Sequence, residues 1–447
     1  MHQAVPIAPP QRGALRIVYL GAGAGGMYCG SCLHDNTLVT ALRAQDIDAL
    51  LVPTYTPIRT DETPVSERRI FFGGINVYLQ QRLPLFRHTP WFIDRLFDSP
   101  RIINWLARRS STTDARVLGA LTVSMLRGEH GHQRKELDKL VRWLADEVQP
   151  DVVHLSNALL VGMARQLREV LGVPVVVTLS GEDVFLDKLP EPYQTEAIDE
   201  IRRRAADVAA LVALNRYYAD SATERFALAP DRVHVIPHGL SLDDIPAQRG
   251  RAEGPLRIGY FARVCEDKGL HHLVEACGLL VQDPDLPPLR LEVAGYLGAG
   301  DREYFAAQQR RVAELGYDER FRYHGELDRA AKLDFLRSLD VMSVPTVYRE
   351  SKGLSILEAW SVGVPVVLPA HGTFPELIED TGGGLLCEPG NSRHLAERLR
   401  ELLLDPQAAQ RKGAAAQQAV RERYHAELMA ERTLAVYRRV IEAGRTA

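Results

Sequence analysis

Short apolar runs alternate with longer, helix-spaced stretches along most of the chain. The run LRIVYL (15–20) leads into glycines, then into a helix-like segment, LHDNTLVTALRAQ (33–45), and a second run, DALLVP (48–53). Comparable runs recur at DVVHLS (151–156), VPVVVTLS (173–180), VAALVAL (208–214) and RVHVIP (232–237). Strands alternating with helical patterns predict an α/β chain in which a parallel sheet carries helices on both faces.

The polar, turn-rich stretch HGLSLDDIPAQRGRAEGP (238–255) interrupts this alternation and is read as a linker. The pattern restarts with LRIGYFA (256–262), LRLEVAG (289–295), RFRYHG (320–325), LDVMSVP (339–345) and VPVVLPA (364–370). Gly-Val-Pro-Val-Val occurs at 172–176 and again at 363–367. In each copy Gly suits a helix end, Pro bars its continuation and the valines open a buried strand. The echo predicts two domains of one type, 14–237 and 256–424. Within the first, residues 54–134 lack a strand pattern and are read as a mostly helical insertion. It carries twelve Arg, no Lys and seven acidic residues. The end of the chain, 414–444, has the apolar spacing of long helices.

Composition narrows the class. The 447 residues suffice for more than one core. A net charge of −4 gives no reason to expect nucleic acid as a partner. No apolar run approaches the roughly 18 residues of a membrane span, and the first twenty residues lack a signal-peptide layout. Five cysteines in so large a chain do not form a secreted disulfide framework. A cytoplasmic location is the expectation.

The stretch GAGAGGMYCGSC (21–32) superimposes two signals. Gly21, Gly23 and Gly26 fit a dinucleotide fingerprint, but that fingerprint needs an acid at the end of the second strand to hold a ribose. Pro53 and Thr54 stand there instead, which argues against a nicotinamide cofactor. The glycines still allow close approach of backbone to a ligand, with amides facing an anion. Cys29 and Cys32 form a C-x-x-C at a helix start, where thiol pKa values fall. The flanking segments do not form a compact redox domain, and the reading of small buried residues outweighs the redox one. No second C-x-x-C exists, so no zinc site is expected.

The second half concentrates the chemistry. In SVPTVYRESKGLSILEAW (343–360), Glu350 lies in a loop after a strand, Gly353 follows, and a helix opens near Leu354. Amides at such a helix start suit a diphosphate. Glu358, one turn in, leans back toward that end and could accept the two hydroxyls of a ribose. Glu350 could serve a sugar in the same way. Both acids would also be favourable there without a ligand, but Ile356, Leu357, Ala359 and Trp360 make an apolar setting for Glu358. Upstream, GYFARVCEDKGL (259–270) places Arg263 and Lys268 beyond the first strand of the second domain. That edge of a parallel sheet is where ligands bind, and two cations there suit phosphates.

With these residues in place, the sequence resembles the retaining nucleotide-sugar glycosyltransferases of the two-Rossmann-domain (GT-B) type, family 4. The most specific element is E-x7-E, Glu350 to Glu358. VIPHGLSLDD, ARVCEDKGL, GTFPELIED and CEPGN occur in the order that family shows. The resemblance implies two Rossmann-like domains facing across a cleft, with 425–447 crossing back onto the first. It implies that Glu350 contacts the donor sugar and Glu358 the nucleotide ribose. Arg263 and Lys268 would hold the diphosphate, and the Gly25–Gly26 loop would close over donor and acceptor. One departure stands out. Where many members carry T-x-H-G-x-D, this chain has Thr178-Leu179-Ser180-Gly181-Glu182-Asp183. Ser180 does not titrate near neutral pH, so imidazole proton transfer is excluded there. Glu182 or Asp183 could substitute, and His154 and His238 are weaker candidates.

The expected activity is transfer of a sugar, with retention, from a nucleotide diphosphate donor (UDP-sugar favoured) to an acceptor hydroxyl on a small molecule, glycan or lipid. Arg263, Lys268, Glu350 and Asp183 are the expected catalytic residues. Gly25, Gly26, Arg263, Lys268, Glu350, Gly353, Leu354 and Glu358 are the expected donor contacts. No metal or other cofactor is expected. The alternatives are an epimerase or phosphorylase on the same fold, or a non-catalytic sugar-nucleotide-binding or thiol-responsive regulator. The basic, aromatic insertion could also contact an anionic membrane, although packing onto its own domain accounts for it as well.

Overall fold

The computed structural model describes residues 15–23, 29–67, 70–71, 115–245 and 254–446. The chain divides into two compact units. The first comprises Met1–Leu214, Tyr218–Ile236 and Met429–Ala447; the second comprises Asn215–Tyr217 and Pro237–Leu428.

The first unit is built on six parallel strands in the order β2-β1-β3-β4-β5-β6. These are β1 (Arg16–Gly21), β2 (Asp48–Pro53), β3 (Val152–Leu155), β4 (Val175–Leu179), β5 (Ala210–Ala213) and β6 (Val233–Val235). β1, β3, β4 and β5 are buried along their whole length, as strands covered on both faces require. The helix Gly30–Ala44 joins β1 to β2 and is buried almost all round. Its polar run stays satisfied inside: Asn36 Nδ2 donates to the Thr63 carbonyl (3.1 Å) and Thr37 Oγ1 to Glu62 (2.9 Å). Within 54–134, the helix Ala115–Leu126 and a short turn Gly128–His130 are seen; residues 72–114 lie outside the described residues.

The second unit repeats the plan in the order β12-β11-β10-β7-β8-β9. Its strands are β7 (Leu256–Phe261), β8 (Leu289–Ala294), β9 (Phe321–Tyr323), β10 (Val341–Met342), β11 (Val366–Pro369) and β12 (Gly384–Cys387). All pairings are parallel. The chain reverses direction across the sheet between β7 and β10, the switch point at whose carboxyl end ligands bind in such folds. The two α/β units are Rossmann-like, as expected of a GT-B chain. The Gly-Val-Pro-Val-Val echo has one structural meaning in both: Gly172 (φ 68°) and Gly363 (φ 77°) leave the preceding helices in the left-handed region, and β4 and β11 begin within three residues.

The stretch read as a linker is not a free connector over its first part. Leu240 and Ile245 belong to the core of the second unit. The Leu240 amide donates to the Tyr424 carbonyl and its own carbonyl accepts from the Ala426 amide, both at 2.9 Å. Polar composition hid two apolar anchors. Among the described residues no helix is long and apolar enough to cross a membrane.

Candidate active site

The loops that leave β7 and β10 converge at the switch point of the second unit. Beyond β7, a short turn (Glu266–Lys268) delivers Lys268, and the helix Leu270–Val281 follows. Gly269 (φ 73°) sits on the β10 loop so closely that a Cβ would lie 1.8 Å from the Pro345 carbonyl oxygen. The Val347 amide donates to the Asp267 carbonyl at 2.9 Å, which ties the two loops together. The contact places the Lys268 ammonium 2.6 Å from Glu350 Oε2 and 2.5 Å from the Tyr348 hydroxyl.

Glu350 lies in the loop after a strand, as read from the sequence, but its side chain is buried there. Its Oε2 accepts from Lys268 and from Tyr348 (2.8 Å), and its Oε1 accepts from the Ser351 and Lys352 amides at 3.1 Å each. Burial alone would push this carboxyl up, but the Lys268 charge and these hydrogen bonds outweigh it and hold the group at about 2. Burial likewise opposes the Lys268 charge, and Glu350 outweighs it, leaving the ammonium above its ordinary range. Both groups are ionised at neutral pH.

Arg263 is bonded to other partners. Its Nε donates to Cys265 Sγ at 3.2 Å, and its carbonyl accepts from the Tyr260 hydroxyl at 2.9 Å. The helix Leu354–Ser361 begins after Gly353, as anticipated. Glu358 does not project alone from it. Its carboxylate is in hydrogen-bond contact with the Lys332 ammonium, and both residues are buried. Lys332 was missed, although Lys332, Phe335 and Leu336 form an i, i+3, i+4 stripe that marks the buried face of the helix Arg329–Ser338. Three more polar atoms collect around Glu350. Thr346 Oγ1, His371 Nδ1 and Thr373 Oγ1 are buried without a hydrogen-bond partner among the described residues. Thr373 donates its amide to the Glu350 carbonyl (2.8 Å), and His371 Nε2 donates to the Thr346 carbonyl (3.0 Å). Burial lowers the His371 pKa, so the ring is neutral and its Nδ1 is an acceptor.

In the first unit the T-x-S-G-E-D segment ends β4. Glu182 is a staple here and not a candidate acid. Its carboxylate accepts from the Ala158 amide (2.9 Å), the Ser180 amide (3.0 Å) and the Tyr218 hydroxyl (2.8 Å). Asp183 opens the short helix Asp183–Leu186. Its Oδ1 is buried without a hydrogen-bond partner among the described residues, and burial pushes its carboxyl above the usual range. His154 is structural. Its ring is bonded to Tyr437 (2.6 Å) and Thr178 (2.7 Å), and burial drops its pKa to about 3. His238 is buried in the second unit. Gly25 and Gly26 lie outside the described residues. Cys29 caps the helix Gly30–Ala44 and Cys32 is buried in its first turn. The hydrogen bond with Cys29 and burial push the Cys32 thiol up, which disfavours a thiolate there. Among the described residues no three His, Cys, Asp or Glu side chains are grouped to hold a metal ion.

Comparison with known proteins accords with this layout. The family described as Glycosyl transferases group 1 matches residues 242–419, and Glycosyltransferase Family 4 matches residues 105–244. The glycogen synthase of Mycobacterium tuberculosis is 29% identical over 65% of this chain and 69% of its own. The D-inositol 3-phosphate glycosyltransferase 1 of Catenulispora acidiphila is 29% identical over 74% of this chain and 78% of its own. The crystal structure of Anabaena HepE in complex with UDP and glucose shares the fold, with a TM-score of 0.62, 16% identity and coverage of 97% of this chain and 100% of that one. The matched segments run from residue 105 to residue 419, and the chain belongs to the glycosyl transferases group 1 family and is a glycosyltransferase.

Proposed function

We propose that the chain transfers a sugar from a nucleotide diphosphate donor, with UDP the favoured nucleotide, to an acceptor hydroxyl with retention of the anomeric configuration. The observation that carries this reading is the pairing of Lys268 with Glu350 at the switch point of the second sheet. Lys268, Arg263 and the outward amides at Leu354 and Ser355 supply positive charge for a departing diphosphate. Glu350, ionised and held by four donors, presents a rigid acceptor edge to sugar hydroxyls. His371 Nδ1, Thr346 Oγ1 and Thr373 Oγ1 offer further partners, since buried polar atoms are otherwise paired. Glu358 orients the ribose, and Lys332 fixes its carboxylate.

In the transfer, the bond from the anomeric carbon to the phosphate oxygen breaks while a bond to the acceptor oxygen forms on the same face. The acceptor proton passes to the leaving phosphate, so Ser180 in place of an imidazole is no obstacle. The cations make a metal unnecessary, and chelator-treated protein retains its activity on this reading.

The test is binding and slow hydrolysis of UDP-, GDP- and ADP-sugars by the wild type, Lys268→Ala and Glu350→Gln. One nucleotide series is expected to bind, with weaker binding in Lys268→Ala and lost hydrolysis in Glu350→Gln. Binding of none, or silence of both substitutions, overturns the reading.

A further inference from the structure

Three neighbouring strands of the second sheet each carry an arginine at the second position: Leu256-Arg257-Ile258, Leu289-Arg290-Leu291 and Phe321-Arg322-Tyr323. The flanking apolar residues turn toward the core, so the arginines share the opposite face. Arg257 is the direct cross-strand neighbour of Arg290, and Arg322 is the neighbour of Glu292. Like charges side by side on adjacent strands are destabilising. Such a row persists at a cost unless something negative offsets it.

The chain's own acids offset that charge only in part. One carboxylate, Glu292, stands opposite Arg322 and is hydrogen-bonded to His324 at 2.6 Å, and Asp334 lies 3.9 Å from Arg337. Among the described residues none of the three guanidinium groups makes an ion pair or a side-chain hydrogen bond. The three line a depression of about 350 Å³ whose other wall is the helix Arg329–Ser338, with Phe335 facing inward beside His324 (ring centroids 5.2 Å apart). This volume is at the small-ligand end of the range for binding pockets.

The three arginines lie near the start of β7, β8 and β9, whereas Arg263 and Lys268 follow the end of β7. Six residues at about 3.3 Å each separate Arg257 from Arg263 by roughly 15–20 Å. The phosphate-binding end of the depression is therefore remote from those two cations, while its lining runs along the sheet face to His324.

We propose that this depression binds a phosphorylated small polyol, a sugar monophosphate in size, separately from the donor edge. Guanidinium forks match phosphate oxygens. The Phe335 ring gives an apolar floor for a sugar face, and the Glu292–His324 pair and Ser338 give partners for hydroxyls. The proposal does not depend on which nucleotide-sugar is the donor.

The experiment is calorimetric titration of the full chain with glucose 6-phosphate, inorganic phosphate, glucose and UDP. It compares the wild type, the double variant Arg290→Gln/Arg322→Gln, and Lys268→Ala. Arg290 and Arg322 are exposed, so the double variant retains its fold. Glucose 6-phosphate is expected to bind the wild type and Lys268→Ala alike, and the double variant at least about tenfold more weakly. UDP is expected to bind the double variant as it binds the wild type. Equal affinity of wild type and double variant for glucose 6-phosphate overturns the proposal, as does displacement by UDP together with loss in Lys268→Ala. Inorganic phosphate binding as tightly as glucose 6-phosphate overturns the polyol part. An independent readout is thermal stability at low salt. Arg290→Gln is expected to raise the Tm of the ligand-free protein slightly, and a fall in Tm refutes the premise of an excess of positive charge along the row.

Discussion

Glu182 and Glu350 occupy corresponding places, each in a loop beyond a strand of a six-stranded parallel sheet, and each is buried. Each carboxylate accepts from backbone amides and from one tyrosine hydroxyl, Tyr218 for Glu182 and Tyr348 for Glu350. The difference is one lysine. Glu182 draws donors from its neighbour Ser180 and from two distant segments, at Ala158 and Tyr218, and so fastens the fold of the first unit. Glu350 draws its amides from its immediate neighbours and its long-range partner is Lys268. The same residue type is a staple where its partners are neutral; on the proposed function it serves a site where its partner is a cation that an anionic ligand can also claim.

The comparison can be broken first at the staple. Glu182→Ala leaves two amides and a hydroxyl without their acceptor, at about 1–3 kcal/mol each. The expected loss of stability is several kcal/mol in urea unfolding, with the largest effect of any single change discussed. Lys332→Met comes next, because it strands the buried Glu358 charge at about 3–5 kcal/mol. The double variant Lys332→Met/Glu358→Leu is expected to recover most of that stability while donor binding stays lost, separating scaffold from function. Lys268→Ala is expected to lower kcat/KM about a hundredfold or more, as loss of one transition-state donor does, and also to lower stability, because the buried Glu350 carboxylate loses its cation. The smallest effect is in acid. Glu350 is held at about 2 against an ordinary value of 4.5, so the stability it contributes is present above about pH 4.5 and is lost as pH falls toward 2. Unfolding measured from pH 6 to pH 2 is expected to show this acid limb in the wild type and to show it flattened in Lys268→Ala.

What the sequence disclosed follows the range over which its signals act. Strands such as LRIVYL and VPVVVTLS were legible because a strand buried on both faces is a continuous apolar run. Gly172 and Gly363 were legible because a left-handed helix exit and the proline after it are adjacent in the chain. Glu350 and Glu358 were legible as a spaced pair, but their partners were not: Lys268 lies 82 residues from Glu350, and Lys332 lies 26 from Glu358. His154 was read as a candidate from its place at a strand end, and only Tyr437, 283 residues away, shows it to be a buried structural ring. Leu240 and Ile245 were lost in a polar stretch because two apolar residues do not make a period.

The bond between His154 and Tyr437 also sets an order of assembly. The second unit is drawn almost wholly from one continuous segment, 237–428, whereas the first takes its last piece, 429–447, from beyond it. During synthesis the second unit has its full sequence before the first does. Until the helix Ala426–Thr446 has emerged, the imidazole of His154 lacks the hydroxyl that closes over it, and the first unit, although made earlier, is the later of the two to be completed.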